Sequence, residues 1–264
     1  MLTAITRRVG ATLGRCELVY VERRPIDAAR AAGQHRDYEQ CLRDLGARVI
    51  SLAPEPDLPD GVFVEDPAVV LDEVAVITRM GAASRRAESE TVARALEPFR
   101  PLRRIQAPGT LEGGDVLRAG SGLYAGMSVR SNAEGIAELR RSAEPFGYRV
   151  TAVEVRGAMH LKTACCYLGR DTLLANGAWI DLEPLAHFRI LVTAPDEPWA
   201  ANVVAIGDSL IMPDAFPATR RLLERDGWKI QTIELSELMK AEAGVTCLGL
   251  LFEAPTPTGT LPSF

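Results

Sequence analysis

Four short stretches set reactive side chains among apolar or glycine neighbours. Cys247 lies in Gly244-Val245-Thr246-Cys247-Leu248-Gly249, ahead of an apolar run that ends at Phe252. A thiol flanked by glycines, which let a ligand approach, is a candidate nucleophile; a small core residue is the plainer alternative. His160 follows Gly157 in Met159-His160-Leu161-Lys162-Thr163. A turn there would put an imidazole, the side chain readiest to move protons near pH 7, at the start of a strand. The acids are the most telling. Phe63-Val64-Glu65-Asp66-Pro67 and Leu111-Glu112-Gly113-Gly114-Asp115 both set carboxylates into apolar, strand-like patterns. An ionised carboxylate in such a place needs a cationic partner. That partner is either an internal Arg or Lys or a cationic ligand. Glu65, Asp66 and Glu112 together could hold a guanidinium, which is planar, always charged and rich in donors.

These groups suffice for displacement at a guanidinium carbon. Carboxylates bind the cation, and the cation in turn favours the thiolate of a nearby cysteine. An imidazolium protonates the departing amine, and the neutral imidazole then activates water. No metal or organic cofactor enters that scheme. The other candidates read as structural. His35, beside Gln34 and Arg36, suits a solvated or capping place, and His187 a satisfied structural one. Cys165-Cys166 lies in an apolar strand whose alternation sends the two thiols to opposite faces.

The elements that must position these residues recur. Helical spacing over 36–45 ends at Gly46 before a strand at 47–52. Ser84 can cap a helix towards Phe99, and Ser131 or Asn132 one that ends at Gly147, followed by a strand at 148–155. A weaker helix at 179–188 precedes a strand at 189–193, and a helix at 218–226 precedes one at 228–233. Short apolar runs at 62–70, 74–78, 173–175 and 209–212 fall between. Five units, each of one helix and about three strands, predict a cyclic repeat, with a doubly wound sheet as the plainer alternative.

Composition narrows the rest. The chain has 264 residues, 47% hydrophobic and 25% charged, with a net charge of -5. That suits one soluble domain over 1–264 with an extended segment at 254–264, and argues against nucleic acid as a partner. No apolar run reaches the roughly 18 to 20 residues of a membrane span, and the N-terminus lacks a secretory pattern. Five cysteines without zinc-knuckle or redox-pair spacing fit reduced thiols in a cytoplasm.

With Phe63-Val64-Glu65-Asp66, Leu111-Glu112-Gly113-Gly114-Asp115, Met159-His160-Leu161-Lys162 and Thr246-Cys247 in this order, the sequence resembles the dimethylarginine dimethylaminohydrolases of the guanidine-modifying, or pentein, superfamily. Gln34-His35, Val76-Ile77-Thr78-Arg79, Gly81 to Arg86 and Arg130-Ser131-Asn132 add to the likeness, which runs over nearly the whole chain. The resemblance implies an α/β five-bladed propeller of ββαβ repeats around a central active-site channel. It implies Cys247 as nucleophile, His160 as general acid and base, and Glu112 as the carboxylate completing the set. Asp66 with Glu112 would hold the guanidinium, with Glu65 and Asp60 in the same pocket. Arg85 and Arg130 would hold the α-carboxylate of the substrate. Leu18 would contact it from a mobile lid, and the Ala241 carbonyl would receive its α-amino group.

The expected reaction is hydrolysis of Nω-methylated arginine to citrulline and a methylamine, by a cytoplasmic enzyme without cofactor that is free to form a homodimer. Arginine deiminase chemistry is the neighbouring reading. A non-catalytic binder of cationic amino acids and a zinc protein using Cys247, His160 and Cys165 or Cys166 are the remaining ones.

Overall fold

Alternating and helical spacings become five similar units in the computed structural model, which describes residues 1–254. Residues 255–264, most of the expected extended segment, lie outside the described residues. The chain runs β1 (Leu2–Arg7), α1 (Ala28–Asp44), β2 (Arg48–Leu52), then β3 (Ala68–Val70), β4 (Ala75–Ile77), α2 (Glu88–Leu96) and β5 (Leu102–Arg104). The third unit is β6 (Val116–Ala119), β7 (Gly122–Met127), α3 (Ala133–Ala143) and β8 (Arg149–Glu154). A single-turn α4 (Leu161–Ala164) leads into β9 (Cys165–Gly169), β10 (Thr172–Ala175) and β11 (Arg189–Val192). Last come β12 (Val204–Ile206), β13 (Ser209–Pro213), α5 (Pro217–Arg225), β14 (Lys229–Ile233), α6 (Ser236–Met239) and β15 (Leu250–Glu253).

These strands form five separate three-stranded sheets. In each, the middle strand pairs antiparallel on one side and parallel on the other. Because β15 pairs with β1, the last described strand completes the first unit, and all five sheets share one strand arrangement. The pattern is that of a five-bladed α/β propeller, and it excludes a doubly wound sheet. A parallel partner needs a crossover, which α1, α2, α3 and α5 supply in four units. The fourth departs from expectation. Instead of a helix over 179–188 it has one 3-10 turn, Glu183–Leu185. Pro184 lacks an amide donor and disfavours helical backbone before it, while Phe188 is held in an aromatic group with Tyr124 and Tyr167.

Other differences have local causes. Helix α1 starts at Ala28 rather than near Arg36, because the Asp27 carboxylate caps it by accepting the Ala29 and Arg30 amides. His35, expected in solvent, is consequently buried on its inner side, where desolvation lowers its pKa to about 4. Ser84 caps no helix and lies in a 3-10 turn, Ala83–Arg85, ahead of α2. The apolar run at 62–70 is a strand only from Ala68 onward; its first part is a turn that carries Glu65 and Asp66. Cys165 and Cys166 do face opposite ways, into two different apolar clusters, and both are buried.

Candidate active site

His160 stands in extended backbone just ahead of α4 rather than at a strand start. Its Nε2 lies 2.7 Å from Oε2 of Glu112, and its Nδ1 3.8 Å from Oδ1 of Asp66. Burial opposes the imidazolium, but the Asp66 charge, the Glu112 hydrogen bond and Asp115 outweigh it and lift the pKa to about 9. Asp115 steadies the same segment. Its Oδ1 accepts the Leu161 amide at 2.8 Å, and Oδ2 accepts the Ser128 and Ser131 hydroxyls at 2.6 Å each. Gly114 is needed here for close approach: a Cβ would lie 2.7 Å from both Asp66 Oδ1 and His160 Nδ1.

Both acid-bearing segments are tied by backbone. Glu112 accepts the Gly81 amide through Oε1 at 2.9 Å. Asp66 accepts the Gly114 amide at 3.1 Å through Oδ1 and Nη1 of Arg85 at 2.9 Å through Oδ2. Burial raises the Asp66 pKa, but His160 and Arg85 overcome it and hold the carboxyl below its ordinary value. The other two nitrogens of the Arg85 fork donate to Glu88, at 3.0 and 2.8 Å. Arg85 thus serves buried carboxylates, Asp66 and Glu88, instead of standing free for a ligand. Arg130 is buried and its charge is felt at Asp60.

Cys247 sits in a 3-10 turn, Thr246–Leu248, that leads into β15. Burial is the main cause that pushes its thiol well up, with the Glu65 and Asp66 charges adding to it. The turn is clamped by Asn202, a residue with no motif to mark it. Its Oδ1 accepts the Thr246 amide at 3.0 Å. Its Nδ2 donates to the Thr246 hydroxyl and to the Lys162 carbonyl, each at 3.0 Å. One amide therefore links the histidine segment to the cysteine turn.

Glu65 departs from its expected place. Lys162 Nζ at 2.6 Å and the Thr246 hydroxyl at 2.8 Å satisfy its carboxylate. It lines a cavity of about 280 Å³ with Cys166, Tyr167 and Phe252, not the cavity of Cys247. An internal lysine has taken the charge that the sequence pattern offered to a ligand. The Cys247 cavity is lined by Asp60, Phe63, Asp66, Arg85, His160 and Ala241, among others, and measures about 20 Å³. That is room for little more than one water. Above it, the Glu17 amide lies 3.1 Å from both oxygens of Asp60, and half-buried Leu18 packs onto the adjoining core. The converging ligand atoms among the described residues belong to Asp66, Glu112 and His160, so the cysteines do not assemble the zinc set considered above.

Comparison with known proteins gives concordant matches over most of the chain. Residues 52–196 fit the arginine deiminase family model. The chain is 36% identical over 228 residues to the N(G),N(G)-dimethylarginine dimethylaminohydrolase of Pseudomonas aeruginosa, covering 86% of this chain and 90% of the relative. It is 37% identical to the protein of that name from Streptomyces coelicolor, covering 94% and 95%. The chain belongs to the dimethylarginine dimethylaminohydrolase family. A crystal structure of a mutant of the Pseudomonas family member, complexed with citrulline, superposes with a TM-score of 0.91 at 34% identity, covering 95% of this chain and 98% of that one. The five-sheet ring is therefore the pentein fold of that family.

Within the family frame, the sequence marks Cys247, His160, Glu112 and Asp66 by type and setting, and the structure gathers His160, Glu112 and Asp66 directly. Asn202, Glu88 and Lys162 escaped notice as site residues. Lys162 could have been found from its place two residues after His160; Asn202 and Glu88 sit in ordinary sequence and acquire their partners only through folding.

Proposed function

We propose that this chain hydrolyses Nω-methylated arginine to citrulline and a methylamine, with Cys247 as nucleophile and His160 as acid and base. The observation that carries the reading is one buried cavity shared by Cys247, His160 and Asp66, with Glu112 bonded to the imidazole behind it. In the unliganded protein the imidazole is charged and the thiol neutral, by the directions of their shifts. A substrate guanidinium supplies the positive charge that the thiol lacks, so thiolate forms in its presence and its proton leaves to solvent. The sulfur then attacks the central carbon. Collapse of that adduct sends the His160 proton to the departing methylamine and leaves a thiouronium on Cys247. Neutral His160 next takes a proton from water as it attacks, and expulsion of the sulfur releases citrulline.

Asp66 and Glu112 compensate the substrate's charge through this sequence. Arg85 would release Asp66 to the entering guanidinium and, with Arg130, meet the α-carboxylate. Asp60 and the Ala241 carbonyl face the α-amino end. Leu18 covers it, so entry requires the segment around Glu17 to open the 20 Å³ cavity. Glu65 supports the Cys247 turn through Thr246 and does not touch substrate. We place the enzyme in the cytoplasm as a single-domain protein, with a homodimer compatible with this site.

The arginine deiminase reading draws on the family model matched at 52–196 and uses the same residues with ammonia as leaving group. Parallel assays of citrulline from arginine, monomethylarginine and asymmetric dimethylarginine decide between them. A higher kcat/KM for the dimethylated substrate is expected; a ratio to arginine below one favours the deiminase, and no citrulline from any of the three removes both. A pocket discriminates methyl groups by only about 1 to 3 kcal/mol, so residual arginine turnover is compatible with the proposal.

A further inference from the structure

One carboxylate oxygen of Glu242 accepts three consecutive backbone amides, those of Val19, Tyr20 and Val21. Successive N–H groups converging on one anion form a concave nest, a strong way for backbone to bind negative charge. Among the described residues the other oxygen, Oε2, is buried without a partner, so the three amides must compensate nearly all of the carboxylate's lost hydration. Glu242 also stands at φ +56°, a left-handed backbone that a glutamate adopts only when its surroundings hold it there. It lies between Ala241 and Ala243, all three lining the Cys247 cavity.

Residues 19–21, which it grips, have little else to hold them among the described residues, whereas Cys16 is buried in the core and half-buried Leu18 packs onto it. Val19 and Tyr20 are 46% and 40% exposed, so apolar burial contributes little there. Arg23 ties the segment mainly to itself, through the Gly14 and Cys16 carbonyls. At the other edge, Glu17 bonds to Asp60 and Ser84.

We infer that Glu242 is the positioning residue that keeps residues 18–21 closed over the Cys247 cavity, and so sets access and substrate affinity but not the chemical step. The affinity part rests on the proposed function; the access part does not. The test uses the full chain with Glu242→Ala and Glu242→Gln. Hydrogen exchange at the amides of Val19, Tyr20 and Val21 is followed beside iodoacetamide alkylation of Cys247 without substrate, and KM and kcat for asymmetric dimethylarginine. In the alanine variant, loss of a charge-assisted acceptor should speed exchange and alkylation by about tenfold or more. KM should rise by about tenfold while kcat stays within about twofold. The glutamine variant keeps one acceptor oxygen and should fall between; it also serves if the alanine variant folds poorly. Unchanged exchange and alkylation in both variants overturn the latch, as does a fall in kcat at constant KM. Should the wild-type chain form no citrulline, the functional reading fails while exchange and alkylation still judge the latch.

Discussion

Arg85 Nη1 lies 2.9 Å from Asp66 Oδ2, so the carboxylate suited to a substrate guanidinium already holds one from its own chain. Both residues are buried. Binding would then be an exchange of one guanidinium for another at Asp66, with no net uncovering of charge. Asp66→Asn removes the charge that makes either pairing strong. It should lower kcat/KM at least about tenfold, roughly 1.4 kcal/mol of transition-state stabilisation. It should also destabilise the fold, because Arg85 loses a buried counter-charge. Steady-state kinetics and urea melts check the two effects separately; unchanged kcat/KM would assign Asp66 to Arg85 alone.

Cys247→Ser should abolish turnover by several orders of magnitude and leave the melting temperature close to that of wild type, since serine has no comparable anion near pH 7. Burial and the Glu65 and Asp66 charges keep the free thiol protonated. The alkylation rate of unliganded wild type should accordingly climb across pH 7 to 9 without a plateau. Mass spectrometry of quenched turnover should find a covalent adduct on Cys247, and its absence at every quench time would remove the covalent route.

The pH dependence of stability has a definite sign. His160 is raised from an ordinary 6.5 to about 9, so its contribution is complete below 6.5 and is lost as pH rises through about 9. Glu88, raised to about 7, and Asp115, raised to about 6, each chiefly by burial, act in the same direction at lower pH. Unfolding free energy measured in urea should therefore fall between pH 6.5 and 9, and His160→Gln should flatten that slope. A flat profile over the same interval, unaltered by His160→Gln, would show that His160 is neutral in the folded protein.

Asn202→Ala should reduce kcat more than it raises KM, because it frees the Thr246 turn and the Lys162 carbonyl without touching the cavity's carboxylates. The buried Thr246 amide would lose its acceptor at a cost of about 1 to 3 kcal/mol. Asn202→Asp keeps that acceptor and should recover part of the rate; if both variants turn over as wild type does, the clamp is irrelevant to the nucleophile.

The ring was legible before its site was. Recurring helix and strand spacings give five units, and the structure has five sheets, because binary patterning reports local burial directly. Strand β1 carries no such signal, since the buried run from Thr3 to Thr6 holds two threonines and no alternation. The helix expected at 179–188 failed for a local reason, Pro184. At the site, glycine and acid patterning exposed Asp66 and Glu112, for which a carboxylate set in an apolar run is the sign. The fate of Glu65 could not be read this way: whether a ligand or Lys162 answers its charge depends on a contact between segments far apart in the chain. The Asn202 clamp is of the same kind.

The pairing of β15 with β1 has a consequence for how the molecule is made. The Met1 ammonium donates to the Ala254 carbonyl at 2.8 Å, so the sheet that follows the nucleophile is stitched from opposite ends of the described chain. During synthesis, four blades can collapse while the fifth still lacks its antiparallel edge, and the Cys247 turn has nothing to lean on until that edge arrives. Such long-range closure is slow compared with local helix or hairpin formation. The Cys247 turn, which leads into β15, is therefore among the last parts of the ring to become ordered. No direct covalent link joins β1 to β15 among the described residues. A permuted gene that joins the two ends and opens instead at the Gly207 turn, between β12 and β13, would keep every blade and move the late-closing joint away from the nucleophile.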